Sequence, residues 1–183
     1  MSKIGRKPIA LLNAEVSVKN NAVHYKGAKL SGVYNLPKEL HARTENGMLY
    51  LEPVSEQSNQ KKRDMNRVWG LHRALLNNAI KGSQAEFEKK VEIEGLGFKV
   101  AKSGEKLVFS LGYSHKIDFQ LPKSVSIDID KSGQKLLLKS VDKHLVGQVC
   151  SDIRSLRLPE PYKGTGIKVA QEVIIRKAGK TKS

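Results

Sequence analysis

Apolar and polar residues alternate over residues 15–25, with Val16 and Val18 leading into Asn20-Asn21 and Val23 and Tyr25 leading out. A period of two belongs to a strand with one buried face, and asparagines tolerate the backbone of a tight turn, so the pattern predicts a hairpin. Residues 27–32 read as a polar connection. Residues 33–36 and 42–43 are weaker strands around Pro37, and Asn46-Gly47 is a stronger turn signal ahead of a strand over residues 48–51. Residues 53–60 form a linker rich in Ser, Gln and Asn. The period then changes to that of a helix. Met65, Val68, Trp69, Leu75, Leu76 and Ala79 mark one face from about Lys61 to Ile80, and Gly82 is placed to end it.

A second block follows the same plan. Residues 91–94 and 98–100 are strand-like around Gly95 and Gly97, residues 107–111 pair with the latter across Ser103-Gly104, and residues 116–121 continue the sheet. Residues 125–129 alternate, Ser132-Gly133 turns, and residues 136–138 follow. Asp142 is placed to cap a helix reaching about Leu158, with Leu145, Val146, Val149, Ile153 and Leu156 on its buried face.

The repetition is visible in the letters. Leu36-Pro37-Lys38 matches Leu121-Pro122-Lys123, strands around Gly47 match strands around Gly133, and Lys81-Gly82 matches Lys163-Gly164. The pattern predicts an α+β chain of two similar small domains from an internal duplication. Each is an antiparallel or mixed sheet packed on one helix, over residues 1–82 and 83–183, and the second ends in a basic tail.

Charge changes this picture from a scaffold to a scaffold with a partner. The chain of 183 residues carries a net +15, with a pI near 9.9. The excess is local. Residues 58–82 hold six basic residues against one acidic, and residues 154–183 hold eight against two. Residues 83–153 nearly balance, with eleven against ten. A protein basic only for solubility would spread its charge, so concentration near the end of the chain points to a polyanion. Aromatic residues make up only 5%, too few for a platform that reads single-stranded bases ring by ring, which favours recognition of shape and phosphate in folded RNA or duplex.

The candidate site is the stretch Pro159-Glu160-Pro161-Tyr162-Lys163-Gly164-Thr165-Gly166-Ile167-Lys168 and the tail beyond it. Prolines fix φ around Glu160 and glycines open conformations closed to other residues, so the stretch reads as a shaped loop. Small residues let a polyanion approach the main chain, where amides, Lys163 and Lys168 bind phosphate oxygens and Tyr162 stacks on a base or sugar. A glycine-proline turn with solvated lysines would carry the same letters. Arg154 and Arg157 add charge at the helix C-terminus, where cations also answer the helix dipole. Arg176, Lys177, Lys180 and Lys182 extend the charge into the tail. The basic helix start, Lys61, Lys62 and Arg63, reads as solvated with occasional RNA contact.

Other chemistry is weakly supported. Gly95-Leu96-Gly97 lacks the third glycine and the helix that a dinucleotide fingerprint needs, and there is no Walker loop. His24, His41, His72, His115 and His144 are scattered singly, so no metal or catalytic motif stands out. Cys150, the single cysteine, permits no internal disulfide and reads as core filler. No apolar run is long enough for a bilayer, and the start does not read as a secretory signal. A free nucleic-acid-binding regulator and a hydrolase built between the domains remain as rival readings.

The proline-tyrosine-lysine-glycine string, closing a helix and leading into Gly166-Ile167-Lys168, resembles ribosomal protein six of the large subunit in its bacterial form. Ile4-Gly5-Arg6-Lys7-Pro8-Ile9 resembles that family's opening, and Arg73-Ala74-Leu75-Leu76-Asn77-Asn78 its first helix. Phe87-Glu88-Lys89 with Gly95-Leu96-Gly97-Phe98, and Leu111-Gly112-Tyr113-Ser114-His115, resemble later strings, so the likeness covers nearly the whole chain. Departures are Thr165 where many relatives carry lysine, Lys116 where proline is common, and Val169 where an aromatic is usual. The resemblance implies a cytoplasmic, non-catalytic constituent of the large subunit, with no cofactor, metal, membrane or small-molecule substrate. It implies binding to 23S rRNA near the stalk base and the translation-factor docking region, beside other large-subunit proteins. Implied rRNA-binding residues are Arg154, Arg157, Tyr162, Lys163, Gly164 and Thr165, followed by Gly166, Lys168 and the tail cations Arg176, Lys177, Lys180 and Lys182.

Overall fold

The structure is a computed structural model that describes residues 2–54 and 59–179. Half of the linker expected over residues 53–60, residues 55–58, lies outside the described residues, as do Lys180, Lys182 and the side chains of Lys61, Lys62 and Arg63. The chain divides into two compact units, Met1–Glu86 and Phe87–Ser183.

The first unit contains β1 (Ile9–Ala10), β2 (Glu15–Lys19), β3 (Ala22–Lys26), β4 (Ser31–Asn35), β5 (Leu40–Glu45), β6 (Met48–Pro53) and α1 (Asn59–Gln84). They make two antiparallel sheets, ordered β2-β3-β4 and β1-β6-β5. The expected hairpin is β2 and β3, turned at Asn20 and Asn21 with φ of 48° and 60°, the left-handed values that its turn requires. Ile9, Leu11, Val23, Leu40, Leu49 and Leu51 form the core with Trp69, Leu76 and Ile80 from α1. The Trp69 indole N–H donates to the Leu51 carbonyl at 2.8 Å, which removes the cost of burying it.

Two expectations for α1 are corrected. Leu75 is exposed, because the buried face runs through positions 69, 76 and 80 and leaves 75 to one side. Gly82 does not end the helix. The Ser83 carbonyl, an orphan acceptor at the helix end, takes the amides of Lys29 and Leu30 at 2.8 and 3.3 Å, and α1 continues to Gln84. The opening string of the chain lies on α1. Ser2 N–H donates to Asn66, Gly5 sits against the Trp69 ring where a Cβ would come within 2.4 Å of it, and Arg73 donates to the carbonyls of Lys7 and Pro8.

The second unit contains β7 (Phe87–Glu94), β8 (Lys99–Ser103), β9 (Lys106–Ser110), β10 (Ile117–Gln120), β11 (Ser126–Ile129), β12 (Lys135–Ser140), α2 (Lys143–Ser155) and β13 (Gly166–Val169). Its sheets are β10-β9-β8 and β11-β12-β7-β13, all antiparallel. The plan of the first unit recurs: a three-stranded meander, a second sheet and one helix. Detail recurs too. The Pro37 carbonyl accepts Leu40 N–H at 3.0 Å and the Pro122 carbonyl accepts Val125 N–H at 3.0 Å, so the matched Leu-Pro-Lys strings make the same turn. The match of Lys81-Gly82 to Lys163-Gly164 does not hold, since the first pair is helical and the second lies in a loop.

The Asp142 carboxylate accepts His144 N–H at 2.8 Å and starts α2 as expected. Val146, Val149, Cys150 and Ile153 are its buried residues, with Leu145 and Leu156 packed at the margin. The elements that sequence reading missed are the two-residue β1 and, more consequentially, β13. Gly166 to Lys168 are not loop but an added edge strand, registered Gly166 to Glu94 and Ile167 to Ile93 on β7. Among the described residues of the first unit, β1 pairs with β6 alone and nothing takes the equivalent edge.

Candidate nucleic-acid interface

After α2 the chain makes a closed turn before returning as β13. Glu160 N–H donates to the Thr165 carbonyl and Gly164 N–H to the Glu160 carbonyl, both at 2.9 Å, while Ile167 N–H donates to the Arg157 carbonyl at 2.9 Å. These bonds fix the base of the loop and leave Pro161, Tyr162 and Lys163 exposed at its tip. Thr165 is half-buried, and its hydroxyl donates weakly to Glu160 at 3.3 Å.

The two glycines face the fold itself. Both are buried, Gly164 with φ 76° and Gly166 with φ 147°. A Cβ on Gly166 would come within 2.6 Å of Pro159 Cα, and one on Gly164 within 2.9 Å of the Arg176 guanidinium. The absent side chains make room for the chain itself. Gly166 lets β13 pass against the stretch after α2, and Gly164 receives Arg176.

Three of the expected cations lie within ion-pair distance of carboxylates, and two of them are hydrogen-bonded there. Arg154 donates through Nε to Glu172 at 2.9 Å and through its terminal amino group to the other carboxylate oxygen, a bidentate pair. The hydrogen bond to Glu172 raises the Arg154 pKa, and the same bond holds the Glu172 carboxyl below the usual carboxylate range. Lys168 lies between Glu94 and Glu92, bonded to the first and 3.5 Å from the second, and Glu94 raises its pKa. Lys168 is thus a strand residue pinned to β7, not a free cation of the loop.

Lys163, Arg176 and Lys177 are exposed. Lys177 N–H donates to the Pro161 carbonyl at 2.8 Å, so the tail doubles back onto the loop and brings Lys177 beside its tip. The Arg176 side chain lies over Gly164, 3.8 Å from Glu94 and 62% exposed. The fold therefore brings the chain at Arg176 and Lys177 beside the loop that carries Lys163, a proximity that sequence spacing alone does not reveal.

Arg157 brings in residues that the charge pattern did not single out. Its guanidinium lies 4.7 Å from the centroid of the Tyr113 ring, Tyr113 OH donates to the Leu156 carbonyl at 3.4 Å, and Tyr113 stacks with His115 at 6.0 Å and 22°. The signal available was the string 111–115, which carries two rings two positions apart.

Among the described residues no three His, Cys, Asp or Glu side chains gather as a metal set, and no helix is long and apolar enough to cross a membrane. Burial pushes the Cys150 thiol pKa up, away from a reactive thiolate. His72 bonds the Tyr34 hydroxyl at 2.8 Å and is part of the first unit's packing.

Comparison with known proteins gives a consistent set. A family model described as Ribosomal protein L6 matches residues 94–170. A large ribosomal subunit protein uL6 of Methylacidiphilum infernorum is 43% identical over 182 residues, covering 99% of this chain and 98% of its own. The uL6 of Nitratiruptor is 40% identical with the same coverage, and that of Rhodospirillum rubrum is 38% identical over 183 residues, covering both chains fully.

Proposed function

This chain belongs to the ribosomal protein L6 family, in its bacterial form, and from that membership we propose that its basic loop and tail anchor it to rRNA in the large ribosomal subunit. Its role in the ribosome is structural and not catalytic. The finer reading is that it binds 23S rRNA near the stalk base and the translation-factor docking region, beside other large-subunit proteins, and so supports rRNA folding and translation.

One observation carries this reading: the Lys177 to Pro161 backbone bond and the Arg176 guanidinium over Gly164 hold the exposed Arg176 and Lys177 beside the loop that carries the exposed Lys163. Three cations held close together by backbone geometry lose little entropy when phosphates arrive. Arg157 and Tyr162 flank them. Arg154 and Lys168 serve indirectly, holding the tail and β13 in place through Glu172 and Glu94, and Gly164 and Gly166 shape the loop. Lys180 and Lys182 would continue the cationic track.

The test is a salt series with full-length protein and a 23S rRNA transcript. Lys163→Ala with Lys177→Ala should reduce affinity and lower the slope of log K against log salt by about one unit for each phosphate no longer neutralised. An unchanged slope would remove the loop and tail from the interface. Lys168→Ala is a poor probe, because it frees Glu92 and Glu94 and changes the fold's own ion pairs.

A further inference from the structure

Among the described residues, the six large apolar side chains exposed in the second unit are Leu96, Tyr113, Leu158, Tyr162, Val173 and Ile175. Two of them, Tyr113 and Tyr162, are rings, and Tyr113 belongs to a layered group. Its ring is 42% exposed, nearly parallel to His115 and covered by the Arg157 guanidinium, and both His115 and the neighbouring Lys116 are exposed. The group is held firmly. Phe98 packs on both sides of its base: a Cβ at Gly112 would come within 2.8 Å of the Phe98 ring, and one at Gly95 within 2.5 Å. Tyr113 OH ties the loop to the end of α2, and Arg157 links the group to the cationic loop, because its carbonyl receives Ile167 N–H.

From this geometry we infer that Tyr113 and His115, with Arg157, form a stacking site for a single unpaired RNA base. The inference rests on the rRNA-anchoring reading and extends it from phosphate to base. Groups already held nearly parallel favour a planar ligand, and with the Arg157 guanidinium over the Tyr113 ring and His115 stacked with it, a base extends the stack from the exposed His115. A folded protein surface would gain little from a tyrosine whose hydroxyl is already tied down and whose neighbours are cations. A nucleic acid supplies both the negative charge and the flat ring. The scarcity of aromatic residues limits this to one base and leaves the larger interface to phosphates, in agreement with the chain's composition.

The experiment measures binding of the full chain to a 23S rRNA transcript across a salt series for Tyr113→Leu, Tyr113→Phe and His115→Ala. Removing one stacked base should weaken binding by about 5- to 100-fold in Tyr113→Leu and His115→Ala, with the salt slope unchanged. Tyr113→Phe should stay within about twofold of the parent, since it keeps the ring and gives up one long hydrogen bond. Far-ultraviolet circular dichroism and thermal unfolding separate misfolding of Tyr113→Leu from loss of stacking, and the surface variant His115→Ala keeps the test open if Tyr113→Leu is unstable. Unchanged affinity in folded Tyr113→Leu and His115→Ala would overturn the inference. So would a reduced salt slope in either, or a loss in Tyr113→Phe as large as that in Tyr113→Leu. The Lys163→Ala and Lys177→Ala pair run in parallel reports on the phosphate surface, so stacking can fail while the anchoring reading stands.

Discussion

Glu172 is an acidic residue within the most basic part of the chain, and simple electrostatics would count it as a liability. Its position says otherwise: it holds Arg154 by two bonds and accepts a long bond from Val169 N–H at 3.4 Å, so it fixes where the tail leaves β13. Glu172→Gln should therefore weaken rRNA binding by about 3- to 10-fold although it adds a unit of positive charge, while Glu160→Gln, the same charge change at an exposed site, should not weaken it. Binding at fixed salt decides between the two. The pH dependence follows from the direction of the shift. A carboxylate whose folded pKa is depressed stabilises above its unfolded value, near 4.3, and loses that contribution as pH falls through the folded value. Protection of the tail amides, relative to their intrinsic exchange rates, should accordingly fall as the pH drops below the usual carboxylate range. None of this was legible in the letters. The charge total pointed to the tail, but Arg154 lies 18 positions from Glu172 and Lys168 lies 74 from Glu94, so which cations were free and which were pinned depended on the fold.

Elements whose signal is local were legible. The Asn20-Asn21 and Asn46-Gly47 hairpins, the Asp142 cap and the apolar face of α2 each follow from residues within a few positions of one another. β13 was not legible because four residues give too little pattern and its partner β7 precedes it by more than 70 positions. The end of α1 failed for the same reason, its last carbonyl being capped by amides of Lys29 and Leu30 far upstream. The two glycines of α2 and β13 separate the local from the non-local case. Nothing lies within 4 Å of a Cβ built at Gly147, so Gly147→Ala should stabilise the fold by about 0.5–1 kcal/mol through lower backbone entropy in the unfolded chain. Gly166→Ala should destabilise by about 3 kcal/mol, through both strain and collision with the Leu158 and Pro159 backbone. Thermal denaturation of both variants should move in opposite directions.

At the scale of the whole molecule, the duplication has produced two cores, and their buried residues form separate clusters. Leu76 is fully buried in the first, so Leu76→Ala should cost about 2–5 kcal/mol there. Hydrogen exchange should accelerate for the amides of β3 and β6 while protection in β7 and β12 persists. Equal loss of protection in both units would show a single cooperative structure. The copies were used differently. The meanders and helices are shared, but the second copy added β13 to β7 and placed its basic end beyond that strand. The added strand has a mechanical consequence. Tension applied to the tail reaches four residue pairs between β13 and β7 lying side by side, so it acts along them as shear and must break several bonds together, whereas a peeling load would open them one after another. A pull along β13 therefore meets that row of bonds before it reaches the scaffold behind the strand.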